Sequence, residues 1–242
     1  MRIHRVHTHH ALEPGSEITI TGKVAHYLGR VLRLGPGELI VLFNGDGHDY
    51  VAELVRFGKG EVALAISSRL PAARESAIRI TVAQAISRGE RMDQTLQKCT
   101  ELGATGFQLL LSERVEVKLK ADKLAKRVEH WQAVVVSACE QSGRAVIPEV
   151  FYPASFHEWL AAGKGGCRLV LAPGAEKPLA RVELSGPVEL AVGPEGGFSE
   201  SELEQMESQG VQAVSLGPRV LRTETAAPAA VAVIQALAGD FA

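Results

Sequence analysis

At 242 residues, 46 % of them apolar and with a formal net charge of −2, the chain has room for one large or two ordinary domains with a real core. It is not broadly basic, so any nucleic acid it binds must be met by local patches. The longest apolar run, 226–239, contains Pro228 and Gln235 and falls short of the roughly 20 residues of a membrane span.

The opening MRIHRVHTHH has no apolar core of the signal-peptide kind. Cys99, Cys139 and Cys167 form no CxxC pair, which fits a reducing compartment and plain burial. A soluble, cytoplasmic protein is expected. Six histidines precede residue 50: His4, His7, His9, His10, His26 and His48. They form either a solvated polar surface or an RNA-facing one.

The first 70 residues read as β-structure. EITI (17–20), ELIVLF (38–43), DYVAELVRF (49–57) and EVALAIS (61–67) are short apolar or alternating runs, separated by NGDG (44–47) and GKG (58–60). This spacing predicts a small antiparallel barrel, with RLPAARES (69–76) as a linker.

From about residue 77, strands alternate with helices. IRITVAQAI (78–86) is a strand, followed by a helix over 91–103 with Met92, Leu96, Cys99 and Leu102 on one face and Gly103 as its stop. GFQLLL (106–111) is a buried strand. A long helix over 121–143 carries Leu124, Val128, Trp131, Val135, Ala138 and Ser142 at steps of three and four. CRLVLA (167–172), VELAVG (188–193) and VQAVSLG (211–217) are core strands. Ser199, with Glu202 three residues later, opens a helix over 199–210 with a capping box. The alternation predicts a parallel sheet with helices on its faces. The last helix is apolar nearly all round, which points to burial on every side and to a subunit interface. Pro228 predicts a start near Thr225 or Ala226, leaving Thr223 and Glu224 in the preceding loop.

Ligands of parallel sheets bind beyond the carboxyl ends of the strands. Three strand ends carry glycine loops: LAPG (171–174), AVGPEGGF (191–198) and SLGPRVLRTETA (215–226). Each alone is a turn former; together they predict one composite pocket. The dinucleotide fingerprint, the P-loop and HExxH are missing, and no His/Cys cluster has metal spacing, so no metal is expected.

GPEGGFSESE (193–202) and LGPRVLRTETA (216–226) strongly resemble the C-terminal motifs of the small-subunit ribosomal RNA methyltransferase E family, SPOUT-class enzymes acting on uridine N3. HYLGRVLRLGPGE (26–38), SRGERMDQTLQKCTELG (87–103), SERVEVKL (112–119) and ACEQSGR (138–144) extend the likeness along nearly the whole chain. The resemblance implies a PUA-like β-barrel over 1–72 that binds RNA. It implies a trefoil-knotted α/β methyltransferase domain over 73–242 and a homodimer through the C-terminal helix. The cofactor is then S-adenosylmethionine and the partner small-subunit (16S) ribosomal RNA, as naked RNA or in an assembled subunit.

By resemblance the cofactor falls on Leu171, Ala172, Gly193, Pro194, Glu195, Gly196, Leu216, Gly217, Leu221, Arg222 and Thr225. Arg222 is the candidate for stabilising charge on a uracil carbonyl. Glu224 is either a base or an acid favouring the helix N-terminus. The tetrapeptide RVLR occurs at 30–33 and at 219–222 without longer self-similarity, so it is no repeat. Arg30 and Arg33, at an expected exposed turn, are phosphate contacts or solvated arginines. Arg5, Arg88, Lys98 and Arg114 are further RNA candidates. Three other readings stand beside this one: a related methyltransferase acting on another atom, a non-catalytic RNA-binding platform, and a small-molecule α/β enzyme.

Overall fold

The computed structural model describes residues 3–71, 74–116, 121–163 and 165–241. The expected boundary at 72/73, residues 117–119 of SERVEVKL, Lys164 and the ends of the chain lie outside the described residues. The chain forms two compact units. One holds residues 1–75 and 139–147, the other 76–138 and 148–242. A single cut near residue 72 therefore misses the excursion at 139–147.

In the first unit, β1 (Arg5–His7), β2 (Glu17–Thr21), β3 (Leu39–Phe43), β4 (His48–Phe57) and β5 (Glu61–Pro71) form a sheet in the order β1-β3-β4-β5-β2. The antiparallel expectation holds except at its edge, where β1 runs parallel to β3. Leu28, Ile40, Leu42, Leu54 and Leu64 fill the core with no exposure. Residues 139–147 join this unit through polar bonds. A guanidinium nitrogen of Arg5 donates to the Cys139 carbonyl at 2.8 Å, and the His7 N–H donates to Glu140 Oε1 at 2.9 Å. Arg144, 3 % exposed, pairs with Glu75 at 2.5 Å.

The segment between β2 and β3 is helical, not a turn. It comprises α1 (Gly22–His26) and a π-helical continuation, Tyr27–Val31. Gly29 makes room there for the Phe57 ring, whose Cε1 lies 3.0 Å from where a Cβ would sit. Arg33, just beyond, is the one non-glycine described residue with positive φ, at 55°, a conformation that costs on the order of 1 kcal/mol or more for a side-chain-bearing residue.

The second unit is a six-stranded sheet, parallel throughout. Its strands are β6 (Ile80–Ala85), β7 (Gly106–Leu111), β8 (Glu149–Ser155), β9 (Cys167–Leu171), β10 (Val188–Val192) and β11 (Gln212–Val214), in the order β11-β9-β10-β6-β7-β8. The helices are α2 (Glu90–Glu101), α3 (Ala121–Ser142), α4 (Phe156–Ala161), α5 (Glu200–Ser208) and α6 (Thr223–Ala238). Strand β8 and helix α4 had no counterpart in the sequence reading. Met92, Leu96 and Cys99 of α2 are buried, and Gly103 ends that helix at φ 90°, where a Cβ would meet Gln235 Nε2. Small residues on one sheet face, Ala83, Ala85 and Ala191, leave room for Phe156, Trp159 and Phe198. The capping box of α5 forms as expected: Ser199 N–H donates to Glu202 Oε2 at 2.9 Å, and Glu202 N–H to Ser199 Oγ at 3.2 Å.

Helix α6 departs from expectation twice. It starts at Thr223, which places Glu224 in the first turn and Pro228 inside the helix. Tertiary bonds override the proline rule. Thr223 Oγ donates to the Gly193 carbonyl at 3.0 Å and accepts from Gln84 Nε2 at 3.0 Å, so the first turn is anchored at the sheet centre. Pro228, without an N–H, leaves the Glu224 carbonyl without its ordinary helical donor. Second, only one face is buried in this chain, through Thr223, Ala227, Ala230, Val231, Ile234 and Gln235, while Leu237 is 43 % exposed.

Candidate functional site

The carboxyl ends of β9, β10 and β11 open into one cavity of about 390 Å³. Its wall holds Leu171 and Ala172 from the first loop, Gly193, Pro194 and Glu195 from the second, and Leu216, Gly217, Leu221 and Arg222 from the third. The three glycine loops thus converge as the sequence reading expected. Gly193 is glycine for a steric reason: a Cβ would lie 3.0 Å from the backbone of Gly197 and Phe198, where the loop folds back on itself.

Two expected residues are not on this wall. The Gly196 carbonyl is turned to Arg114, accepting from its terminal nitrogen at 2.9 Å. Thr225 faces outward because the helix begins at Thr223, and two residues at about 100° each carry it to the opposite side.

Arg222 and Glu224 both line the cavity, with different surroundings. The Arg222 side chain is 80 % exposed at the mouth. The Glu224 side chain is 14 % exposed, with Oε1 3.9 Å from Arg222 and 3.8 Å from Nε of Arg91. Its Oε2 is buried and has no hydrogen-bond partner among the described residues. Arg91 was missed from sequence, yet it donates to Glu195 Oε1 at 2.8 Å, and the same oxygen accepts the Arg88 N–H at 3.0 Å. Burial pushes the Glu195 carboxyl up, but the Arg88 N–H, its own N–H and Arg91 outweigh it and hold the group below its ordinary value. A signal for Arg91 was present: SRGER follows β6, so the strand-end rule applied to it as well. Arg219 and Val220 also line the wall, Val220 at 80 % exposure.

The cationic candidates sort by environment. Arg5 is a structural residue, not a surface one. It is 11 % exposed by side chain, pairs with Asp49 at 2.5 Å and stacks over Phe43 at 4.6 Å. Arg30 and Arg33 are exposed on the helical segment and just after it. Arg88 pairs with Glu116, Lys98 with Glu101 at 3.0 Å, and Arg114 is tied to the loop at 196–198. Among the described residues no helix is long and apolar enough to cross a membrane, and no cluster of three or more His, Cys, Asp or Glu gathers.

The sequence profile described as an RNA methyltransferase domain matches residues 74–235, and that of an RNA methyltransferase PUA domain matches 20–67. The chain belongs to the RNA methyltransferase family. A relative named ribosomal RNA small subunit methyltransferase E from Buchnera aphidicola (Schizaphis graminum strain) is 31 % identical, over 99 % of this chain and 98 % of its own. One of the same name from Synechocystis is 36 % identical, over 91 % and 73 %. A solved Neisseria gonorrhoeae enzyme, again of that name and bound to S-adenosylmethionine, is 39 % identical with a TM-score of 0.94, covering 100 % of both chains. A Legionella pneumophila methyltransferase solved with the same cofactor gives 39 % and 0.96, over 99 % and 100 %.

Proposed function

We propose that this RNA methyltransferase uses S-adenosylmethionine to methylate N3 of a uridine in small-subunit (16S) ribosomal RNA, in the cytoplasm. The observation that carries the reading is the convergence of three glycine loops on one cavity with Arg222 and Glu224 at its edge. The near-full-length likeness to enzymes of that name supports it. The donor set fits the cofactor. A cavity of about 390 Å³ is of ligand size, Leu171, Leu216 and Leu221 offer apolar wall to an adenine, and the close-folded loop at Gly193 brings backbone groups near. When bound, the cofactor supplies an electrophilic methyl group.

The chain's own residues do the rest. Leu171, Ala172, Gly193, Pro194, Glu195, Leu216, Gly217 and Leu221 hold and orient it. The Arg222 side chain, exposed and without a hydrogen bond among the described residues, reaches a uracil carbonyl and stabilises the charge that grows there. Glu224, whose side chain lines the cavity, accepts the N3 proton. The first unit holds the RNA through Arg30 and Arg33 on phosphates, and Arg88, Lys98 and Arg114 of the second unit are lesser contacts.

The path of the chain favours a trefoil knot. It leaves the edge strand β11 through the loop at 215–222 and returns to the sheet centre, where Thr223 bonds Gln84 and Gly193. The half-covered apolar face of α6 favours a homodimer through that helix.

The test is methylation of small ribosomal subunits lacking the modification, with labelled cofactor. Label at uridine N3, lost in Arg222→Ala, supports the assignment. Label on another atom favours a related methyltransferase, and no cofactor binding at all favours an RNA-binding platform.

A further inference from the structure

The two oxygens of Glu224 are chemically distinct. Oε1 faces two guanidiniums, Arg91 at 3.8 Å and Arg222 at 3.9 Å. Oε2 is buried and has no hydrogen-bond partner among the described residues. The two arginines differ as well. Arg222 is 80 % exposed at the end of a loop and forms no hydrogen bond through its side chain among the described residues. Arg91 stands in the first turn of α2 and is fixed by its 2.8 Å bond to Glu195, which the Arg88 N–H holds in turn. If Arg222 moves onto a substrate carbonyl, it leaves Glu224, and Arg91 is the cation that stays.

We propose that Arg91 is a positioning residue: the fixed cation that holds the Glu224 carboxylate at the cavity wall, oriented to accept the N3 proton, while Arg222 engages the base. The inference rests on the uridine-N3 reading above. Its physical reason is simple. A carboxylate that loses its anchoring cation loses its orientation, and a misdirected oxygen is a poor acceptor for the imide proton. The balance closes within the pocket. The N–H pair stays on N3 for the bond to the methyl, the pair of the broken S–C bond stays on sulfur, and Glu224 returns the proton to water after turnover. Arg91 touches neither the base nor the methyl in this scheme. It acts only through Glu224, and Glu195 is what prevents it from following Arg222 outward.

The test compares wild type, Arg91→Gln, Arg91→Lys, Glu224→Gln and the double variant Arg91→Gln/Glu224→Gln. Single-turnover methylation of unmodified small subunits is measured at saturating cofactor. Cofactor Kd is measured separately by calorimetry without RNA, and thermal melting checks the fold. Arg91→Gln is expected to slow transfer on the order of 10- to 100-fold with Kd within about threefold of wild type. Arg91→Lys recovers most of the rate. The double variant is no slower than Glu224→Gln alone, because the two residues act as one unit. If Arg91→Gln slows the Glu224→Gln enzyme as much as it slows wild type, or if weakened cofactor binding accounts for the loss, the inference is overturned while the function stands. Wild type that binds cofactor but labels no uridine N3 overturns the functional reading itself, and the role of Arg91 with it.

Discussion

Thr223 ties the mouth of the cavity to the middle of the sheet, and removing its hydroxyl has a calculable cost. The oxygen donates to the Gly193 carbonyl and accepts from Gln84 Nε2, both at 3.0 Å. Thr223→Val keeps the shape and removes both bonds. Gln84 is fully buried, but its Nε2 retains the Ala85 carbonyl at 2.9 Å. The Gly193 carbonyl loses its Thr223 donor in a half-buried loop. One lost bond at about 1 kcal/mol and one acceptor deprived of a donor at about 1–2 kcal/mol give a loss of about 2–3 kcal/mol. Thr223→Ser keeps the hydroxyl and loses a methyl, costing about 1 kcal/mol or less. Urea unfolding of the three proteins measures the difference. Cofactor titration of the folded valine variant should also show weaker binding, because Gly193 lines the cavity. A valine variant within about 0.5 kcal/mol of wild type, or a serine variant as damaged as the valine one, would refute the reasoning.

Three further outcomes follow from the first unit. Arg30→Ala should leave stability within about 0.5 kcal/mol while reducing the salt dependence of RNA binding by about one unit of slope. Arg5→Ala should instead destabilise by about 3 kcal/mol, since it strands Asp49 and takes from the Cys139 carbonyl one donor, leaving it the Gly143 N–H; unfolding curves beside filter binding at several salt concentrations separate the two. His7 is held below its ordinary value of 6.5, first by burial and then by His9. A depressed histidine means the unfolded chain binds the extra proton first, so this contribution is complete above pH 6.5 and is lost as pH falls below it. Wild type should therefore lose stability relative to His7→Gln between pH 7.5 and 5.5, as read by denaturant unfolding, and parallel curves would exclude the effect.

Much of this was legible in the chain because it is local. Period-two runs and glycine turns fixed most strands, the three-and-four stepping fixed α2 and α3, and Ser199 with Glu202 forms its capping box from residues three apart. The three glycine loops could be joined in one pocket because in a parallel sheet all carboxyl ends share an edge, so their order along the chain does not matter. The resemblance of the two terminal motifs named the family that the profiles match.

What the sequence withheld depends on partners far along the chain. Pro228 argued for a late helix start, and only the bonds from Thr223 to Gln84 and Gly193, 139 and 30 residues away, explain the early one. Arg5 looked like any N-terminal cation until Asp49 and the Cys139 carbonyl enclosed it, 44 and 134 residues on. Arg91 lay in the SRGER segment after β6, but its place beside Glu195 and Glu224 exists only because α2, the β10 loop and α6 converge. Local periodicity and turn chemistry are written in neighbouring residues, whereas burial and charge pairing are properties of groups that only the folded chain brings within a few ångströms.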